Sequence, residues 1–402
     1  MQLLLHIVNQ RSDSAGQLHC QKGIIMNHYL KLAEELHRQV PVTDAHNDLA
    51  GELLIRHRHG ETDVIRRLYL DHWKSAGFQL IVSSVYIENS VFFPENWRHL
   101  VPESAASSIH DSWKALWKKH ALRWDQGYEN ALEQIRVLKQ EIADAPEELC
   151  LVTSEKDLDA VRAHHKIGIL LYMEGLDCIG NHPDRIHTLY QSGVRGAGLT
   201  WSRQNLLATG CCSATQFTDI RGTITPLGQQ VIKELIRHHM FLDISHLNND
   251  GFDQLVHLLP EMDATLPMIA THSNAWSIHP NYRNLTDEQL LILAEQGGIT
   301  GLNACKYIAG SYEESPIDAL CRQIEYIQSV TGTSHIGLGF DLCDSYSRAK
   351  YAPVVPEPED NLRNHKEALL LTARLLERGM SEQTVLRLLG LNWIQYFEQV
   401  LQ

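Results

Sequence analysis

Short apolar runs that end on a polar side chain recur along the chain, each followed by a stretch of different periodicity. The runs are VTDAHND, FQLIVSSVYIE, IGILLYMEG, VRGAGLTWS, MFLDISH, PMIATHS, GGITGLNA and HIGLGFD. Between them, segments such as TPLGQQVIKELIRHH and SPIDALCRQIEYIQSV repeat apolar residues three and four apart, the mark of an amphipathic helix. Strands alternating with helices build parallel βαβ units. Eight such units predict a closed (β/α)8 TIM barrel in preference to an open sheet.

Two segments depart from this pattern. Residues 89–150, between the second and third runs, are rich in Trp and charge and predict two or more helices. Residues 344–364 contain YAPVVPEPEDN, a Pro-rich loop that follows the eighth run and so belongs over the barrel mouth. HKEALLLTARLLERG and SEQTVLRLLGLNWIQYFEQV then predict a closing pair of helices, with Ser381 as an N-cap. Residues 1–25 read as a disordered extension, and 26–402 as one catalytic barrel domain.

Composition narrows the function classes. The 402 residues are 44% hydrophobic and 21% charged, which suits one large globular domain. The net charge of -14 and the lack of a basic stripe argue against a nucleic-acid partner. No apolar run approaches the roughly 20 residues that span a bilayer. MQLLLHIVNQRSDSAG makes a poor signal peptide and NWIQYFEQVLQ no lipid-anchor tail, so no membrane anchor is expected. The 8 cysteines include no CxxC pair, and the adjacent Cys211 and Cys212 are badly placed for a structural disulfide. A reduced, cytoplasmic protein is the expectation.

Histidine, at 23 residues, is the unusual count, and several histidines end apolar runs. In a (β/α)8 barrel the C-terminal strand ends form the active site. The first run ends on His46 and Asp48, which alternation points the same way, so that together they can grip a metal ion. The third ends on Glu174, a charge beside a core that must be paired or metal-bound. The fifth and sixth end on His246 and His272, and the eighth on Asp341, after Gly337 and Gly339, which allow close backbone approach. Each alone is weak evidence, since strand-end His–Asp pairs, salt bridges and core histidines are common. Together they converge on one mouth. Five N/O ligands without a thiolate suit two zinc-like ions bridged by a carboxylate.

The ordered string DAHND, MEG, LDISH, THSNA, a following Arg-Asn, GFD and a late GLNW resembles the membrane (renal) dipeptidase family, metallo-dependent hydrolases, from about residue 40 to 397. The resemblance implies that His46 and Asp48 hold one Zn2+, that His246 and His272 hold a second, and that Glu174 and a water or hydroxide bridge them. It implies that Asp341 transfers protons and that Arg283, in HPNYRN, clamps the terminal carboxylate of a dipeptide. Tolerance of a C-terminal D-residue and a homodimer are further implications. Two positions depart from the renal-type pattern. Trp201 stands where a histidine contacts the substrate near the scissile bond, and Asn303-Ala304-Cys305 replaces an aromatic pair after Asn. Trp201 is accordingly expected in the substrate-binding wall, against the alternative of a core aromatic. The predicted function is a zinc-dependent dipeptidase. The alternatives are a binuclear amidohydrolase or lactonase on a non-peptide substrate, and a barrel that has lost catalysis.

Overall fold

Alternation along two strands sets up the interior. Leu80, Val82, Leu170 and Tyr172 share one apolar cluster, whereas Ile81, Val85, Ile169, Leu171 and Met173 join another. This is the period of two expected of strands covered on both faces. The computed structural model describes residues 26–92, 123–211, 221–310 and 315–402. The expected extension, residues 1–25, and much of the predicted helical insertion lie outside them.

The strands are β1 (Val42–Asn47), β2 (Phe78–Val85), β3 (Leu149–Leu151), β4 (Ile167–Met173), β5 (Val194–Gly198), β6 (Phe241–Asp243), β7 (Thr300–Leu302) and β8 (Ile336–Leu338). Parallel pairing runs β6-β5-β4-β2-β1-β8-β7. Ile269 and Ala270 fill the remaining gap, bridging in parallel to Asp243 of β6 and Thr300 of β7. The ring thus closes with eight staves, one of them only a bridging pair. These staves are the eight predicted runs, in order. β3 is an addition not foreseen, and it pairs only with the start of β4, at Ile167–Ile169.

The interior cluster continues below the strands into the C-terminal helix Asn392–Val400. Trp393 donates its indole N–H to Leu338 O at 2.9 Å, and Asn392 Nδ2 donates to Ile336 O at 2.8 Å. The GLNW sequence is therefore a plug for the floor of the barrel. Gly337 and Gly339 behave as expected. A Cβ on Gly337 would sit 2.1 Å from the Trp393 indole nitrogen, and one on Gly339 would sit 1.8 Å from Thr271 O. Ser381 caps the helix that follows it, accepting from Thr384 N at 3.2 Å.

The insertion contributes the described helix Trp124–Ala143. The segment after β8 differs from the expected loop. Asp344–Tyr351 is a helix, and only the Pro-rich part beyond it is irregular. Asp360 explains the helix start, because its carboxylate accepts from Cys343 N at 3.2 Å and Asp344 N at 2.8 Å. Among the described residues no helix is long and apolar enough to cross a membrane.

Candidate metal centre

All six strand-end residues expected at the mouth meet there. His46 Nε2 lies 3.5 Å from Asp48 Oδ1, 3.7 Å from Glu174 Oε2 and 3.4 Å from Asp341 Oδ1. On the other side, Glu174 Oε1 is 2.8 Å from His246 Nε2 and 3.5 Å from His272 Nε2. The two histidine Nε2 atoms are 3.0 Å apart. Glu174 thus stands between two groups, with one oxygen toward His46 and the other toward the paired histidines. Four overlapping sets have ligand atoms within 4.8 Å of one another: His46–Asp48–Glu174, Glu174–His246–His272, His46–His272–Asp341 and Asp48–Asp341–Cys343.

The donor chemistry fits divalent ions. His46 is fully buried, and its Nε2 has no hydrogen-bond partner. An orphaned buried nitrogen is costly unless something is bound to it. The Nδ1 atoms are all engaged from behind: His46 with the Tyr172 hydroxyl, His246 with Ser202 Oγ at 2.9 Å, and His272 with Thr271 Oγ1 at 2.7 Å. Thr271 donates its own hydroxyl proton to Asp243 Oδ2 at 2.7 Å. With that proton committed, Thr271 Oγ1 accepts from His272 Nδ1–H, which leaves the Nε2 lone pair facing the centre.

Protonation preferences follow the crowding of charge. Burial keeps His246 well below the ordinary histidine value, with the Arg283 charge adding to it. Burial and then His46 do the same to His272. Both therefore stay neutral, the form that can ligate a metal. Burial also opposes a charge on His46, but the Glu174 and Asp341 carboxylates together outweigh it and hold His46 well above the ordinary value. Burial pushes the Glu174 carboxyl well up despite His46, and Asp48 and Asp341 push the same way. For Asp341 burial is overcome by His46, so its carboxyl lies below the usual range. Three carboxyl groups crowded around one buried imidazole are an arrangement that a bound cation would relieve.

Asp341 has φ 55°, in the left-handed region, and its other oxygen, Oδ2, accepts from Asn303 Nδ2 at 2.8 Å. Arg283 is buried at the same mouth. Its guanidinium donates to Ser245 O and, at 3.2 Å, to His272 O, the backbone beside two of the histidines. Trp201 is only half-buried, with its ring 5.6 Å from that of His246 and 5.1 Å from that of Tyr86. Behind it, Arg203 and Asp177 form a buried pair at 3.0 Å, with the guanidinium 5.3 Å from the indole centre. The indole thus stands at the mouth, partly exposed and packed on His246, Tyr86 and Arg203.

Sequence reasoning missed the supporting layer of Tyr172, Ser202, Thr271 and Asp243, and it quoted Asn303 without giving it a role. Tyr172 was within reach, two residues before Glu174 on the same face of β4. Asp243 carried a signal too, as a carboxylate ending the apolar run of β6, whereas Ser202 has none.

The model of the membrane dipeptidases (peptidase family M19) matches residues 30–402. Dipeptidase 3 of Rattus norvegicus is 30% identical over 283 residues, 68% of this chain and 52% of its own length. Among solved structures, a dipeptidase and metallo peptidase of family M19 superposes with a TM-score of 0.71 at 23% identity, covering 90% of this chain and 98% of the other. A metallo peptidase from Rhodobacter sphaeroides, liganded with a phosphinate mimic of the dipeptide L-Ala-D-Ala, gives 0.68 at 23% identity, covering 90% and 99%. At that identity the two structures establish the shared fold.

Proposed function

Because the chain belongs to the membrane dipeptidase family, peptidase family M19, we propose that it is a binuclear zinc dipeptidase that accepts a D-residue on the C-terminal side. Membership of a metallopeptidase family makes it a metal-dependent hydrolase. The zinc pair rests on one observation above all. Glu174 faces His46 with one oxygen and His246 with the other, beside a buried imidazole nitrogen that makes no hydrogen bond.

His46 and Asp48 would hold one ion, His246 and His272 the other, with Glu174 shared. Such ions, when bound, supply an activated water at neutral pH and a Lewis acid for the peptide carbonyl. Asp341 takes the water's proton on Oδ1 and returns it to the leaving amine, while Asn303 holds Oδ2 and fixes the carboxylate plane. Arg283 offers its remaining N–H groups to the free carboxylate, which limits the substrate to very short peptides. Trp201 forms an apolar wall against His246. The D-residue is supported by the L-Ala-D-Ala mimic bound in the Rhodobacter sphaeroides protein. The proposal includes a cytoplasmic location, from cysteine usage, and a homodimer, from the resemblance alone.

One observation favours the second reading, a non-peptide amide or lactone. Arg283 already donates to two backbone carbonyls and so has fewer donors left for a carboxylate. Zinc-loaded protein should hydrolyse L-Ala-D-Ala, lose that activity to a chelator, and act far more slowly on the C-terminally amidated dipeptide. Equal rates on the free and amidated forms would remove the carboxylate clamp and favour the second reading.

A further inference from the structure

The metal centre has one more candidate ligand atom than the family resemblance supplies. Cys343 follows Asp341 by two residues, and its Sγ lies 3.2 Å from Asp341 Oδ1. Asp48, Asp341 and Cys343 offer ligand atoms all within 4.8 Å of one another. Two of these three carboxylate and thiol groups, Asp48 and Asp341, flank the buried, unpartnered His46 Nε2 at 3.5 and 3.4 Å. The thiol is also held in place, because Cys343 N donates to Asp360 Oδ1 and the residue opens the helix Asp344–Tyr351.

We propose that Cys343 is a thiolate ligand of the ion held by His46 and Asp48, making that half of the centre a mixed N/O/S site for a thiophilic divalent cation. The inference rests on the binuclear reading above. On binding, the S–H bond breaks, a sulfur–metal bond forms and one proton leaves to solvent. A soft thiolate shifts preference toward zinc-class ions over magnesium or manganese, which favour all-oxygen surroundings. The two halves of the centre would then differ in kind, since Glu174, His246 and His272 bring no sulfur.

Cobalt(II) tests this by spectroscopy, independently of turnover. Wild-type protein loaded with cobalt should show a near-ultraviolet thiolate-to-cobalt charge-transfer absorption, and Cys343→Ser should lose it while still binding cobalt. Cys305→Ser, which removes another thiol of the mouth region, should keep the band. Alkylation of Cys343, mapped by mass spectrometry, should proceed in metal-stripped protein and be suppressed by zinc. Two cobalt ions bound with no such band in the wild type would overturn the thiolate ligand and leave the binuclear reading standing. A band that survives Cys343→Ser overturns it equally. Protein that binds no cobalt overturns both.

Discussion

Asp341 occupies a backbone conformation that non-glycine residues rarely adopt, with φ 55°. Its carboxylate is gripped by Asn303 and faces His46 at 3.4 Å, so its proton-accepting oxygen is aimed into the centre. Asp341→Asn keeps the shape but cannot accept a proton, and kcat should fall roughly 10²–10⁴-fold with metal content little changed. Turnover near that of the wild type would make Asp341 structural. Trp201 makes a different prediction. Half-buried against His246, its truncation to Ala should cost about 1–3 kcal/mol, below the roughly 3–5 kcal/mol of a core aromatic. It should also reorder a dipeptide panel. A large fall in Tm with an unchanged ranking would return Trp201 to the core. The candidate ligands were legible because each ends an apolar run. Their supports were not, because Ser202 and His246 meet only when β5 and β6 pair, and Asp243 reaches Thr271 only when β6 lies beside the bridging pair Ile269–Ala270.

Elements show the same division. The long strands β2 and β4 announce themselves by alternation, but the sixth stave is a bridging pair held by its neighbours rather than by its own length. β3 escaped notice because LCL is too short to show a period. The helix over 26–37 closes the outside of the barrel through His37. This buried ring bonds Ala76 O at 2.7 Å and Thr372 Oγ1 at 2.9 Å, tying the helix to the approach to β2 and to the helix Ala368–Glu377. Burial lowers its pKa from 6.5 to about 4. The unfolded chain therefore takes up this proton near pH 6.5, whereas the folded protein resists until about pH 4. Stability from this group is complete above pH 6.5 and declines as the pH falls through that window, by about 3 kcal/mol in all. His37→Gln keeps a side-chain amide for Ala76 O and removes the titration. Its denaturation free energy should fall less steeply than that of the wild type from pH 6.5 to 4. Parallel curves would show that His37 does not contribute this dependence.

At the scale of the molecule, the barrel turns residues separated by almost 300 positions, His46 and Asp341, into neighbours. That the ends of five runs share one mouth follows from barrel closure, so both the fold and the clustering of the candidate ligands could be read from eight punctuated runs. What could not be read is how the mouth is finished. The helix Asp344–Tyr351 replaces part of an expected loop because Asp360, sixteen residues further along the chain, caps it from a distance. The central claim is that two zinc ions share Glu174 and that both are needed for peptide hydrolysis. Its most direct test is to titrate metal-stripped protein with zinc while following both bound metal and L-Ala-D-Ala cleavage, in the wild type and in Glu174→Gln. Full activity should appear only as binding approaches about two ions per chain, and Glu174→Gln should weaken both sites together. Full activity at one equivalent, with zinc binding unaffected by the Gln substitution, would contradict it.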